Sequence, residues 1–190
     1  MNKSIIIILS FLALSACATQ TTTEQTENIP KIVTISKSKA ANFQLKSAVN
    51  SSVVFLNEDK WLYEKVPEEG SATEYNFQVK DNSKGVILGR MITEKVSPDL
   101  QLLTKAAVAN AAKADSNVHI LKKEFRKING NDVIYMEMAV NPDGTPFTIY
   151  GVYHSNKYGS TQLLGVSESK TPEVLREIQD FLSGFDTTSK

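Results

Sequence analysis

Between residues 118 and 166 strands and turns follow one another so regularly that few folds remain open to this chain. Ile134, Met136, Met138 and Val140 alternate with Val133, Tyr135, Glu137 and Ala139, the period of two shown by a strand with one buried face. The first set is expected to face the core. Just before it stands Asn129-Gly130, the pair favoured by two-residue hairpin turns, with residues 118–128 as the incoming strand. After it, Asn141-Pro142-Asp143-Gly144 puts each residue type where a turn prefers it. The chain re-enters a strand over residues 147–153, turns over 155–160 and returns through 163–166. Three hairpin-linked strands make an antiparallel meander.

Upstream, strands are predicted at residues 31–35 and 52–56, with a polar stretch around Lys37-Ser38-Lys39 between them. Residues 61–66 end at Pro67, and Glu68-Glu69-Gly70-Ser71 reads as a turn. Tyr75, Phe77 and Val79 alternate with polar residues, Asp81-Asn82-Ser83-Lys84-Gly85 turns, and residues 86–96 complete a hairpin. Two helices are expected. The first is capped by Ser97 with Pro98 at its first position, and Leu100, Leu103, Ala107, Ala111 and Ala114 form its inward stripe. The second opens on Thr171, Pro172 and Glu173, buries Val174, Ile178, Phe181 and Phe185, and stops at Gly184. Residues 186–190 are expected to fray. The predicted class is α/β of the α+β type, an antiparallel sheet with helices packed on it, in one domain over residues 31–186 followed by a disordered tail at 187–190.

The first 30 residues have a different character. Lys3 precedes an apolar run over residues 5–14, too short for the roughly 20 residues that span a bilayer. Leu14-Ser15-Ala16-Cys17 follows, and Cys17 is the only cysteine of the 190 residues. A charged start, a short apolar stretch and small residues mark a signal peptide over residues 1–16. The cysteine at the cut resembles a bacterial lipobox, which implies that Cys17 is lipidated with diacylglycerol and palmitate-type acyl chains. Several chains on one residue hold a membrane where one holds weakly. Ala18 in place of aspartate implies, by the same resemblance, the outer membrane if the host is Gram-negative, on its periplasmic or surface face. Residues 17–30 are polar and read as a flexible tether with ends about 20 Å apart on average. A lone cysteine excludes an intrachain disulfide. Loss of residues 1–16 removes Lys3 and no acid, leaving 20 basic and 21 acidic residues, so no strong pull toward nucleic acid is expected.

No reaction is named by a motif. His119 and His154 lie far from each other in sequence, form no zinc-type pairing, and are expected half-exposed on a sheet face. Gly165-Val166-Ser167-Glu168-Ser169 fails the nucleophile-elbow pattern at its last position. Glu68, Glu69 and Asp132 are expected to be solvated turn acids, and Lys122, Lys123, Arg126 and Lys127 a polar strand face. Tyr150, Tyr153, His154 and Tyr158 are the candidates for a ligand or partner surface, against the alternative that they complete the core.

Trp61 opening the domain, Ser97-Pro98-Asp99-Leu100, Ile128-Asn129-Gly130-Asn131 and Phe181-Leu182-Ser183-Gly184-Phe185 together resemble the PsbP-like (DcrB-like) family over residues 52–186. The resemblance implies a helix-covered sheet in an accessory or binding protein, usually without catalysis. The expectation is therefore a non-enzymatic envelope lipoprotein with no catalytic or metal residues and no cofactor. Its partners are the membrane, through the lipid on Cys17, and an envelope protein rather than nucleic acid. The alternatives are a small-ligand or lipid carrier with a cavity between sheet and helices, and a hydrolase built around His154.

Overall fold

The alternation of residues 118–166 becomes the centre of an eight-stranded sheet in the computed structural model, which describes residues 32–67 and 72–188. In chain order the strands are β1 (Val33–Ile35), β2 (Phe43–Lys46), β3 (Ser52–Leu56), β4 (Trp61–Lys65), β5 (Thr73–Val79) and β6 (Ile87–Glu94). Helix α1 (Leu100–Ala111) precedes β7 (His119–Ile128), β8 (Asn131–Val140), β9 (Phe147–Asn156) and β10 (Gly159–Ser167). Helix α2 (Pro172–Ser183) and β11 (Phe185–Thr187) close the described chain. The large sheet runs β1-β7-β8-β9-β10-β6-β5-β4, antiparallel except where β1 joins β7, and β11-β3-β2 form a second small sheet. The fold class read from the sequence is thus the observed one.

The Asn-Gly pair makes the turn expected of it. Asn129 and Gly130 have φ of 47° and 85°, both left-handed as a two-residue hairpin of this twist requires. Asn129 also does something its turn role did not reveal. Its side chain accepts from the Lys37 N–H at 2.8 Å and donates to the Ser183 and Phe185 carbonyls at 2.9 and 2.7 Å. One amide thereby ties the segment after β1, the end of α2 and the start of β11 to the meander.

The central strands of the large sheet are buried on both faces, so the expectation of a single core-facing set in β8 needs correction. Ile134, Met136 and Met138 pack under α1 with Leu103, Ala107 and Tyr153. Val133 and Tyr135 point the other way, into a larger core closed by α2 and the small sheet through Leu45, Val54, Ile178, Phe181 and Phe185. A central strand sandwiched by two layers has no solvent side to mark with polar residues. On the α2 side Phe181 lies between Trp61 and Phe77, with ring centroids 4.5 and 5.1 Å away. It reaches the sheet because Gly89 and Gly165, directly opposed on β6 and β10, leave a shallow seat. A Cβ on Gly89 would stand 2.8 Å from the Phe181 ring, and one on Gly165 would stand 3.2 Å from Ile178.

Three further expectations are corrected. Helix α1 is capped by Asp99, whose carboxylate accepts from the Leu102 N–H at 2.8 Å, and Ser97 and Pro98 lie before the helix. Aspartate with extended backbone is as good a cap as serine and is two residues nearer the apolar stripe. The helix ends at Ala111, so Ala114 is exposed and outside it, while Thr104 joins Leu103 and Ala107 in the buried stripe. Residues 186 and 187 do not fray: β11 pairs with β3, Phe185 opposite Val54, and Asn131 donates to Asp186 at 3.0 Å. Phe185 is buried as expected, but on this strand and not on α2. Strand β2 had no counterpart in the sequence reading. Residues 1–31, the turn expected at 68–71, Ser189 and Lys190 lie outside the described residues.

Strand β1 covers only Arg126–Ile128 of β7, and among the described residues no strand pairs with the rest of that edge. The pairing of β7 with β8 shifts between Ile120 and Lys122, and two lysines follow the shift, devices that discourage a further strand from adding. Gly89→Ala is expected to lower the unfolding free energy by about 1–3 kcal/mol by pushing Phe181 off its seat. Urea unfolding followed by the fluorescence of Trp61 measures it, with an unchanged denaturant slope.

Candidate functional site

Helix α2 rests on β9 and β10, and β1 flanks β7, so part of the α2 face of β7, β8 and β9 stays open between them. The result is a groove of about 380 Å³ lined by Val33, Ile35, Arg126, Tyr135, Val152 and Leu182, with Gln179, Asp180 and Ser183 of α2 on one wall. Its volume is within the range of small-molecule sites, which run from about 300 to 1,000 Å³.

Strand alternation supplies the polar groups. Lys122, Glu124 and Arg126 lie on this face of β7 because they pair with Glu137, Tyr135 and Val133 of β8. The Arg126 Nε donates to Glu124 Oε1 at 2.5 Å, and Lys122 Nζ lies 3.3 Å from Glu124 Oε2. The Arg126 guanidinium carbon sits 3.4 Å over the Tyr135 ring, a cation–π contact. The Tyr135 hydroxyl in turn donates to Glu137 at 2.8 Å. Burial acts to raise the Glu124 pKa, but the contacts with Arg126 and Lys122 outweigh it and hold the carboxyl below its ordinary value. Burial, then the bond to Glu137, pushes the Tyr135 phenol well above its usual range, so it stays a neutral donor. The Arg126 side chain is 11% exposed, and its Nη groups meet no acceptor among the described residues. That unshared edge of a nearly buried guanidinium is the most ligand-like feature of the groove.

The four residues singled out in the sequence are not brought together on one surface. Tyr150 is buried on the α2 face, where burial raises its phenol pKa. Tyr153 is fully buried on the opposite face beneath α1, and its hydroxyl has no hydrogen-bond partner among the described residues. Tyr158 lies in the β9–β10 turn with Lys157 Nζ 4.9 Å from its ring centre. Successive strand residues point to opposite faces, so Tyr150 and Tyr153, three apart, cannot share one. His154 is buried at 7% exposure, against the expectation of a half-exposed position. It packs on Phe185 at 5.2 Å, donates through Nδ1 to the Asp132 carbonyl at 2.9 Å and accepts at Nε2 from Asn156 at 3.1 Å. Both ring nitrogens are engaged.

His119 is exposed, on the rim of a second depression with Asp115, Glu168 and Lys170. Asp115 accepts from the N–H groups of Asn117 and Asn141 at 2.8 and 2.7 Å, which keep its carboxyl below the ordinary value. The basic residues of β7 divide between the faces and each has a partner: Lys123 donates to Gln101 and Thr104 of α1, and Lys127 pairs with Asp132 at 2.6 Å. Among the described residues no His, Cys, Asp and Glu side chains converge to hold a metal ion. Cys17, Glu68 and Glu69 lie outside the described residues. The sequence reading missed Glu74, a buried acid at the bulge of β5. It accepts from Thr93 Oγ1 at 2.7 Å and from the Ala48 N–H, fastening the loop before β3 to the sheet.

No family model matches the chain, and no curated protein matches it either. Solved structures do. The solution structure of cyanobacterial PsbP (CyanoP) from Synechocystis sp. PCC 6803 is similar with a TM-score of 0.57 at 12% identity, covering 78% of this chain and 94% of that one. A Bacteroides thetaiotaomicron protein matches with a TM-score of 0.43 at 12% identity over 77% of this chain and 48% of its own. A Pseudomonas aeruginosa protein of unknown function matches with a TM-score of 0.42 at 9% identity over 63% of this chain and 89% of its own. The CyanoP likeness shows a PsbP-like fold, and at this identity it speaks for the fold alone.

Burial lowers the His154 pKa, with the contact to Asp132 acting weakly against it. The folded state therefore binds its proton at lower pH than the unfolded chain, whose histidine titrates near ~6.5. Stability is expected to be full above that value and to fall as pH drops through it toward the folded pKa. Thermal unfolding between pH 7.5 and about 5 checks this: the descent should flatten in His154→Gln, whatever that variant does to stability at neutral pH.

Proposed function

We propose that this chain is a non-enzymatic binding domain of a bacterial cell envelope, anchored by lipid on Cys17 at the outer membrane, and that it engages another envelope component through the groove beside α2. The observation that carries the binding role is the state of Arg126. Glu124 and Tyr135 fix its guanidinium on two sides and leave its outer edge toward a cleft of about 380 Å³. Rigid strands hold these groups, which favours recognition because little order has to be gained on binding. The anchoring role rests on Leu14-Ser15-Ala16-Cys17 and the polar stretch after it. The PsbP-like fold is compatible with this reading and does not choose among functions. A carrier of small ligands is favoured in second place by the same cleft, which lies between sheet and helix. A hydrolase around His154 has less support, since neither ring nitrogen is free to take a proton from a nucleophile.

Cys17→Ser is expected to abolish labelling by radioactive palmitate and to move the protein out of the membrane pellet. Persistent labelling with unchanged pelleting would overturn the anchor. For the binding face, a photo-crosslinking residue at Gln179, on the groove wall, should give one reproducible adduct in intact envelopes. The same group at Leu62, exposed at the far edge of the sheet, should give none. Equal adducts from both positions would count against the groove.

A further inference from the structure

We propose that the groove beside α2 receives the carboxylate of an amphiphile with an apolar body, its two oxygens held by the free Nη edge of Arg126. The inference rests on the binding-domain reading and names the chemistry of what is bound. Arginine cannot shed its charge, and its planar fork matches two oxygens side by side. Here the Nε is already given to Glu124 and the flat face to the Tyr135 ring, so only the Nη edge can take up a ligand. The side chain is 11% exposed, so an acceptor that reaches its N–H donors inside the cleft would form charge-assisted bonds partly shielded from water.

The charges around that edge narrow the class. Arg126 and Lys122 are set against Glu124, Glu137 and the groove-lining Asp180, so the acids outnumber the bases by one. A phosphate dianion would meet repulsion from three carboxylates. A singly charged carboxylate meets half of it and keeps the same two-oxygen contact. The rest of the lining favours hydrocarbon, since Val33, Ile35, Val152 and Leu182 present aliphatic surface along the cleft. Ser36 and Ser183 at its margin leave room for a polar substituent without requiring one.

Residues 31–190 form one compact unit that contains both cores, so they are used alone. Isothermal titration at constant ionic strength compares decanoate, decanol and inorganic phosphate, and amide chemical shifts of Val33 and Ser183 report where each binds. Decanoate is expected to bind saturably, at least tenfold tighter than decanol or phosphate, with shifts at both amides. Arg126→Met should weaken decanoate at least tenfold and leave decanol unchanged. Ile35→Trp narrows the cleft with Arg126 intact and should weaken decanoate and decanol alike; it decides the matter if Arg126→Met does not fold. Equal affinity for decanoate and decanol, tighter binding of phosphate, or indifference to Ile35→Trp would each overturn the proposal. If no probe binds while the Gln179 crosslink persists, the carboxylate class is wrong and the binding-domain reading stands. If the crosslink fails as well, that reading falls too.

Discussion

The closeness of α2 to the sheet governs the whole face on which the groove lies. Two glycines opposed on neighbouring strands, Gly89 and Gly165, remove the side chains that would otherwise hold the helix away. Ile178 and Phe181 descend into that gap, and Phe181 completes an aromatic stack with Trp61 and Phe77. Because the helix is seated over β6, β9 and β10, it cannot also cover β7 and β8. The open strip beside it is therefore a product of where the helix fits, and the polar residues of β7 occupy the strip that results.

Several parts of this arrangement were legible in the residues themselves. The period-two pattern of β8, the Asn129-Gly130 turn and the Thr171-Pro172 helix start are local signals, each set by geometry within a few residues. What failed was non-local. Nothing in Gly89 or Gly165 announces that they will be neighbours, and four residues of β2 are too few to carry a period. The last residues were read as loose because their partner, β3, lies more than 130 positions earlier in the chain. Ser97 was preferred to Asp99 as a cap because both residue types suit the place, and only the backbone decides between them.

The candidate site shows the same division. Lys122, Glu124 and Arg126 stand at alternate positions, so a charged strand face could be read; that a helix would wall this face on one side could not. The tyrosines misled in a simpler way. Tyr150 and Tyr153 were grouped by nearness in sequence, yet an odd separation on a strand sends them to opposite cores. His154 attracted notice as one of two histidines, and the structure gives it an interior, hydrogen-bonded post beside Phe185 and Asn156.

The unpaired length of β7 has a meaning of its own for a molecule held on a surface in the way proposed above. Confinement to two dimensions raises the frequency of side-by-side encounters, and sheets with open flanks are then prone to join end to end. The break in pairing after Ile120 and the adjoining lysines are features that discourage such joining. The same stretch leaves Ile120, Leu121 and Phe125 half-exposed, so on a crowded bilayer the break in the ladder, and not net charge, is what would keep copies apart.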